Sequence, residues 1–332
     1  MQAGVLVVSD MSHDTFVIPT LEVITAARQI AAKEGGTVTV LILGHRLSKT
    51  IQNRITQCGA DRLLYIDDPV LANFNMDSLL LNVQVIAEEM SPKTILIPQS
   101  LPCHEIAPRL ASRLDGAAVT LVSGIETDDT DIAWRRPCYG GKIMEVVTFS
   151  TTPVVATIAP KSFEPATKNE PRSTTVEQRT ARTPPTASQL TTIKRTEIDS
   201  RFERLENADV IVAGGRGVGG ASGFDTLRDI AASLGGAVGA TRVACDLGWC
   251  APDLQVGLSG RTVAPQLYLA IGISGASHHL AGCANSKVIV AVNNDPEAEI
   301  FTVAHLGVVA DCLKILPLLS ERLKKRTATI KT

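Results

Sequence analysis

The chain has 332 residues, a formal net charge of −2, 45% hydrophobic residues and 20% charged ones. That length accommodates two cores, and the near-neutral balance excludes a broad nucleic-acid surface. No apolar run reaches the ~18 residues that cross a bilayer, so no direct membrane insertion is expected. The opening MQAGVLVVSDM runs straight into a strand-like segment. It lacks the basic start and apolar stretch of a signal peptide, which points to a cytoplasmic protein. Cys58, Cys103, Cys138, Cys245, Cys250, Cys283 and Cys312 form no Cys-x-x-Cys pair and no zinc-type cluster with histidine. They read as buried thiols of a reducing compartment, and no metal site is expected.

In chain order, Val5–Val8 reads as a strand. Leu21, Ile24, Ala27 and Ala31 recur at helical spacing, and Val38–Leu43 is a continuous apolar run. Leu79–Met90 is helical, Thr94–Pro98 a short strand and Ile106–Leu114 a helix. Such alternation predicts a mainly parallel sheet wrapped by helices. Val146–Phe149 and Val154–Ile158 lie a few residues apart and read as late strands of an antiparallel addition. Pro160, Pro165, Pro171, Pro184 and Pro185 then punctuate a stretch rich in Thr, Ser, Arg and Glu. Proline removes a backbone donor, so this stretch reads as an extended connector, or alternatively as an irregular edge of the first domain.

The α/β pattern resumes with Asp209–Ala213 as a strand, Phe224–Leu234 as a helix and Ala237–Ala240 as a strand. Leu267–Ile273, Lys287–Asn293 and Val308–Val309 follow as strands, and a basic-tailed helix starts near Asp311. Between the first of these strands and the first helix stands Gly214-Gly215-Arg216-Gly217-Val218-Gly219-Gly220, in which Gly215, Gly217 and Gly220 satisfy G-x-G-x-x-G. Small residues there let backbone N–H groups approach a phosphate, and Arg216 supplies a guanidinium that clamps one. The acidic residue that grips a ribose in the usual dinucleotide fingerprint is replaced by Thr241-Arg242. An arginine there suits a 2′-phosphate, so on these residues alone an NADP-binding dehydrogenase remains a rival.

The decisive stretch lies further on. It runs through Leu267-Tyr268-Leu269-Ala270, Gly272-Ile273-Ser274-Gly275-Ala276, His279-Leu280-Ala281-Gly282, Asn293, Asp295-Pro296-Glu297-Ala298 and Ile300-Phe301. Together with Gly214-Gly215-Arg216-Gly217 and Val238-Gly239-Ala240, it strongly resembles the electron transfer flavoprotein alpha subunit. The close match spans roughly the last 125 residues. The first half agrees more loosely, through Ala107-Pro108-Arg109-Leu110-Ala111 and Tyr139-Gly140-Gly141. The resemblance implies an α/β protein of two domains, each with a mainly parallel sheet flanked by helices. Residues 1–165 would be an N-terminal domain contacting a beta subunit, 166–205 an extended linker, and 206–332 an FAD-binding domain of the deoxyhypusine-synthase-like type.

By the same resemblance, FAD contacts fall on Arg216, Gly217, Thr241, Arg242, Val256, Gly257, Leu258, Ser259 and Gly260. They continue through Ser274, Gly275, Ala276, Ser277, His278, His279, Asn293, Asp311 and Cys312. Leu258-Ser259 replaces the family's common Gln-Thr pair and keeps one hydroxyl, while His278 stands where glutamine is usual. His279 is expected to donate a hydrogen bond toward the negative charge that a reduced flavin gathers around N1 and the C2 carbonyl. Arg242 would supply a positive field and Ser259 a hydroxyl near N5. The resemblance implies an electron carrier working with an electron transfer flavoprotein beta subunit. Electrons would come from a flavin dehydrogenase, typically one acting on acyl-CoA, and pass to a quinone oxidoreductase or a ferredoxin-type acceptor. A variant role within the family bifurcates electrons from NADH.

Overall fold

The computed structural model describes residues 4–9, 17–72, 75–100, 103–127, 131–141, 143–168, 174–182 and 205–330. Its contacts group the chain into two units, 1–138 with 144–195, and 139–143 with 196–332. In the first unit the chain runs β1 (Val5–Val8), α1 (Val17–Glu34), β2 (Val38–Gly44), α2 (Lys49–Gln57) and β3 (Arg62–Asp67). It continues with α3 (Met76–Met90), β4 (Thr94–Pro98), α4 (Ile106–Arg113) and β5 (Ala117–Val122). Then come β6 (Gly124–Thr127), β7 (Ile132–Cys138), β8 (Ile143–Val147), β9 (Val154–Ile158) and β10 (Thr175–Gln178).

Seven of these strands form one sheet in the order β10-β3-β2-β1-β4-β9-β5, with every adjacent pair parallel. Successive side chains of a strand face opposite ways. Val5 and Val7 accordingly join the core formed with Ile24 and Ile30 of α1 and Ile55 of α2. Leu6 and Val8 join the core on the other face, with Leu80 and Val83 of α3 and Leu110 of α4. Local signals set the helix starts: Ser48 caps α2 through Thr50 N–H, and Asn75 caps α3 by accepting from Asp77 and Ser78 N–H.

Two sequence expectations change here. Val154–Ile158 is not an antiparallel addition; it is an interior strand, parallel to β4 on one side and β5 on the other. All five of its residues are buried, as expected for a strand covered on both faces, where the polar-apolar alternation of a half-exposed strand is missing. The smaller β6-β7-β8 sheet carries the antiparallel pairing instead, between β6 and β7. Within 166–205, expected to be a connector, Thr175–Gln178 forms the edge strand β10 alongside β3. Arg62 there meets Glu177 at 3.2 Å. Residues 183–204 of that stretch lie outside the described residues.

The second unit contains β11 (Val210–Gly214), α5 (Ala221–Ser233), β12 (Ala237–Ala240), α6 (Arg242–Asp246) and β13 (Leu267–Ile271). It ends with α7 (Ser277–Leu280), β14 (Val288–Asn293), β15 (Leu306–Val309) and α8 (Cys312–Ile330). The sheet is parallel in the order β12-β11-β13-β14-β15. Phe224, Leu227 and Ile230 of α5 and Leu316 of α8 pack on one face with Val212 and Leu269. Tyr268, Ala270 and Ile289 face the other way, against Val256, Val263, Cys283 and Ile300. No helix among the described residues is long and apolar enough to cross a membrane.

One buried charge in the first unit sets a pH dependence. Glu22 of α1 is 3% exposed, and its Oε2 accepts from Lys161 N–H at 2.9 Å. Burial pushes its carboxyl up from 4.5 to about 7, with Glu164 adding to the rise and the Lys161 contact opposing it. The folded chain keeps a proton that the unfolded chain releases, so stability falls as pH rises from 4.5 through about 7. Glu22→Gln should therefore stabilise the protein at pH 8, by at most about 3 kcal/mol. The gain should shrink toward pH 5; urea denaturation at the two pH values checks this, and a pH-independent gain would contradict it.

Candidate functional site

In an open parallel sheet, ligands bind beyond the carboxyl ends of the strands. In the second unit a cleft of about 620 Å³ opens there, beyond β11, β13 and β14. Glycine shapes its floor. Gly215 N–H donates to Ile271 O at 2.9 Å and Gly217 N–H to Gly272 O at 3.0 Å, so the two loops touch backbone to backbone. A Cβ on Gly215 would lie 2.3 Å from Gly272 O, and one on Gly272, whose φ is +61°, would lie 2.8 Å from Gly217 C. Side chains at these positions would force the loops apart. Across the cleft, Gly275 has φ +88° and its Cβ would meet Ile300 N at 2.1 Å.

The polar lining divides into committed and uncommitted groups. Asn293, buried at the end of β14, donates from Nδ2 to Ile273 O at 2.7 Å and accepts from Asp295 N–H at 2.9 Å. It clamps the loops after β13 and β14 together, which leaves one amide N–H and one carbonyl lone pair for a ligand. Asp311 accepts from Leu313 N–H at 2.9 Å and so caps α8. Cys312 Sγ donates to Gly217 O at 3.1 Å. Arg242 is exposed and pairs with Asp246 at 3.3 Å. In contrast, Thr241 Oγ1 is buried without a hydrogen-bond partner. Arg216 is exposed on the cleft wall and makes no ion pair among the described residues.

His279 departs from its expected role. Its Nδ1 lies 3.0 Å from Val256 O, and a carbonyl only accepts, so Nδ1 carries the proton. Nε2 is then an acceptor, and Tyr268 Oη at 3.0 Å donates to it. Both nitrogens of the neutral ring are engaged, so in this arrangement His279 has no N–H to aim at a flavin. Burial drives its pKa down from 6.5 to about 4, against the opposing pull of the Val256 carbonyl. Burial likewise pushes the Tyr268 hydroxyl well above its usual range, the neighbouring Cys283 adding to the rise. It also pushes the Cys283 thiol up to about 12.

Of the residues singled out from sequence, Arg216, Gly217, Thr241, Arg242, Ser274, Gly275, Ala276, His278, His279, Asn293, Asp311 and Cys312 line the cleft. Val256, Gly257, Leu258, Ser259, Gly260 and Ser277 do not. Leu258 N–H donates to His278 O at 2.7 Å, so that loop abuts the cleft rather than walling it. Ser259 Oγ accepts from Gln255 Nε2 at 3.0 Å. Val243, Asn294 and Asp295 line the cleft without having been singled out as contacts. The signal for the last two was available, because they directly follow Asn293 at a strand's carboxyl end. Tyr268 was missed as the partner of His279, since an eleven-residue separation across strand and turn leaves no local pattern.

A second hollow, of about 430 Å³, lies in the first unit beside α3 and the residues after β10. Its Arg179 is already paired with Glu177 at 3.0 Å and Glu89 at 3.7 Å. Among the described residues no cluster of metal-ligating side chains is assembled.

A parallel sheet with a glycine-floored cleft, an uncommitted arginine and an orphaned hydroxyl defines a nucleotide-cofactor-binding α/β protein. The sequence relationships narrow this class. Residues 5–184 match the electron transfer flavoprotein domain, and residues 204–284 match the electron transfer flavoprotein FAD-binding domain. The chain is 35% identical to the electron transfer flavoprotein subunit alpha of Thermoanaerobacterium thermosaccharolyticum, over 92% of this chain and 93% of that one. It is 35% identical to the corresponding subunit of Bacillus subtilis, with the same coverage of each chain. It is also 34% identical to the LctC subunit of a lactate dehydrogenase (NAD(+),ferredoxin) from Acetobacterium woodii, over 90% of this chain and 71% of that one. The chain belongs to the electron transfer flavoprotein alpha subunit family, and its cofactor is FAD. Alpha subunits of this family pair with a beta subunit and transfer electrons to other proteins.

The locked histidine carries a prediction. Below about pH 6.5 the unfolded chain protonates His279, whereas the folded chain refuses that proton until about pH 4. Its contribution to stability is therefore lost on acidification through that window. Nitrogen NMR of the ring should show a neutral, Nδ1-protonated tautomer from pH 5 to 9. Tyr268→Phe, which leaves Nε2 buried and unpaired, should cost roughly 1–3 kcal/mol. A ring titrating near its ordinary value would contradict the lock.

Proposed function

We propose that this chain holds FAD in the cleft of its second unit as the alpha subunit of a heterodimeric electron carrier. The single observation that carries the placement is the glycine-floored cleft at the carboxyl ends of β11, β13 and β14. Its residues suit the cofactor. The close Gly217–Gly272 approach leaves room for a pyrophosphate against backbone, Arg216 is positioned to pair with it, and buried Thr241 Oγ1 lacks a partner that a bound ligand supplies. Arg242, although paired with Asp246, keeps a positive charge at the rim. Ser274, Gly275 and Ala276 form the facing wall, with Asn293 setting its position. Val256 to Gly260 adjoin His278 and His279 and form a shoulder beside the cleft.

When bound, FAD supplies the redox chemistry, and the protein supplies binding and electrostatics. Neutral His279, with both ring nitrogens taken, orients the Val256 loop; Arg216 and Arg242 are the cations that counter charge on the ligand. A flavin dehydrogenase, typically one acting on acyl-CoA as in fatty acid β-oxidation, is the proposed donor. A quinone oxidoreductase is the proposed acceptor, and the beta subunit completes the carrier. A second reading is favoured by the LctC relative, a subunit of an NAD(+),ferredoxin enzyme. In that reading the pair bifurcates electrons between NADH and a ferredoxin-type acceptor.

Co-expression with its beta chain should yield a yellow heterodimer with a flavin spectrum; a colourless protein that binds NADP would overturn the reading. NADH oxidation coupled to ferredoxin reduction by that pair would select the second reading. Arg216→Ala should lower FAD affinity about ten- to a hundredfold, the loss of one charge-assisted contact, without altering the unfolding curve of the apo chain. Calorimetric titration with FAD measures this, and unchanged affinity would return Arg216 to the surface.

A further inference from the structure

Two thiols beside the cofactor cleft have no place in the function described so far. Cys245 lies in α6 and Cys250 five residues later, and their Sγ atoms are 3.5 Å apart. Each side chain is 9% exposed. Sulfurs at that separation are in contact but not bonded; a disulfide needs about 2.05 Å. The intervening turn is pinned. Gly248, with φ +71°, donates to Cys245 O at 2.8 Å, and Trp249 N–H donates to Ala244 O at 3.1 Å. The thiols are thus held together by the backbone rather than meeting by chance side-chain excursions.

The pair is wired to the cleft through one turn of helix. Cys245 N–H donates to Thr241 O at 3.2 Å, and Thr241 N–H donates to Gly214 O at 3.0 Å. Thr241 and Arg242 line the cleft. Any shift of Cys245 toward Cys250 is therefore transmitted to the residue whose hydroxyl awaits a partner there.

We propose that Cys245 and Cys250 form a dithiol that hydrogen peroxide closes slowly to an intrachain disulfide, which weakens the grip of Thr241 and Arg242 on the cofactor. The effect on the cofactor rests on the placement of FAD given above; the disulfide itself does not. The oxidant is hydrogen peroxide, which reduced flavins generate from dioxygen. The thiolate of one cysteine attacks one peroxide oxygen, giving a sulfenic acid and releasing water once a proton is supplied. The sulfur of the other cysteine, 3.5 Å away, then displaces the hydroxyl from the sulfenic sulfur, forming the S–S bond and a second water. Two thiols lose two electrons and two protons, and one peroxide becomes two waters.

Burial pushes both thiols up, which makes the reaction slow. At Cys250 the Cys245 hydrogen bond and the charge of Arg228 oppose that rise. At Cys245 burial, the same hydrogen bond and nearby Asp246 all add to it, to about 12. The two sulfurs are in contact and equally exposed, so either makes the first attack and the other resolves it.

The test uses the full heterodimer, treated with hydrogen peroxide, quenched, alkylated and digested. A cross-linked peptide joining Cys245 and Cys250 is expected, reversed by dithiothreitol. FAD affinity of the oxidised protein should fall roughly tenfold, the loss expected from about one hydrogen bond. Cys245→Ser and Cys250→Ser should each abolish both effects while binding FAD normally before treatment; Cys245→Ala and Cys250→Ala serve if serine disturbs folding. Cross-links among other cysteines, or oxidation to sulfonic acid without a cross-link, would overturn the proposal. So would a disulfide that leaves FAD affinity unchanged, or a peroxide-induced FAD loss that persists in the variants. If the untreated protein bound no FAD, the placement of the cofactor would fail separately, and the cross-link would still report on the thiols.

Discussion

The second unit depends on one close approach, the backbone contact of Gly215 and Gly217 with Gly272. It lets the ends of adjacent parallel strands β11 and β13 turn away with no side chain between them. The space that Cβ atoms would fill becomes the floor of the cleft. Other features follow from this contact. Arg216 rides on the same turn, Cys312 Sγ is tied to Gly217 O, and Asn293 fixes the next loop by donating to Ile273 O. A larger residue at Gly272 would have to displace the Gly217 backbone, not a flexible side chain, so the floor of the cleft would be lost.

A second constraint acts behind the cleft. Tyr268 sits on β13 facing the core opposite α5, and His279 comes from the short helix α7. Their hydrogen bond joins strand to helix, while Val256 O ties the ring to the loop after α6. A neutral imidazole in this position is cheaper to bury than an imidazolium. The same burial that stabilises the arrangement removes the donor which the resemblance placed there. Positive charge near the cleft resides instead on the exposed guanidinium groups of Arg216 and Arg242.

The first unit shows a related trade between burial and charge. Its two cores are built from alternate residues of the same strands, and α1 has to lie flat on the sheet. Glu22 is carried into that interface by helical geometry, and its carboxyl accepts the Lys161 amide N–H, with the Lys161 charge also opposing the rise that burial causes. That explains why a protein of near-neutral charge gains a titrating group near pH 7 in a region with no catalytic set.

By itself the sequence determined the elements with strong local period or punctuation. These include β1, α1, β2, α3 and β4, and the glycine turn after β11. It also determined the family, because dozens of residues agree in order and spacing. Most of the cleft lining was legible for the same reason: Arg216, Thr241, Ser274 and Asn293 stand at strand ends, where a parallel sheet presents them to ligand. Tertiary structure alone decided that Val154–Ile158 is an interior parallel strand, because five buried residues look alike in parallel and antiparallel sheets. It alone made Thr175–Gln178 a sheet edge, since pairing with β3 is a contact across more than a hundred residues. It alone revealed the Tyr268–His279 lock and the Cys245–Cys250 contact, because hydrogen-bond direction and sulfur separation depend on side-chain positions in space, which residue order does not encode locally.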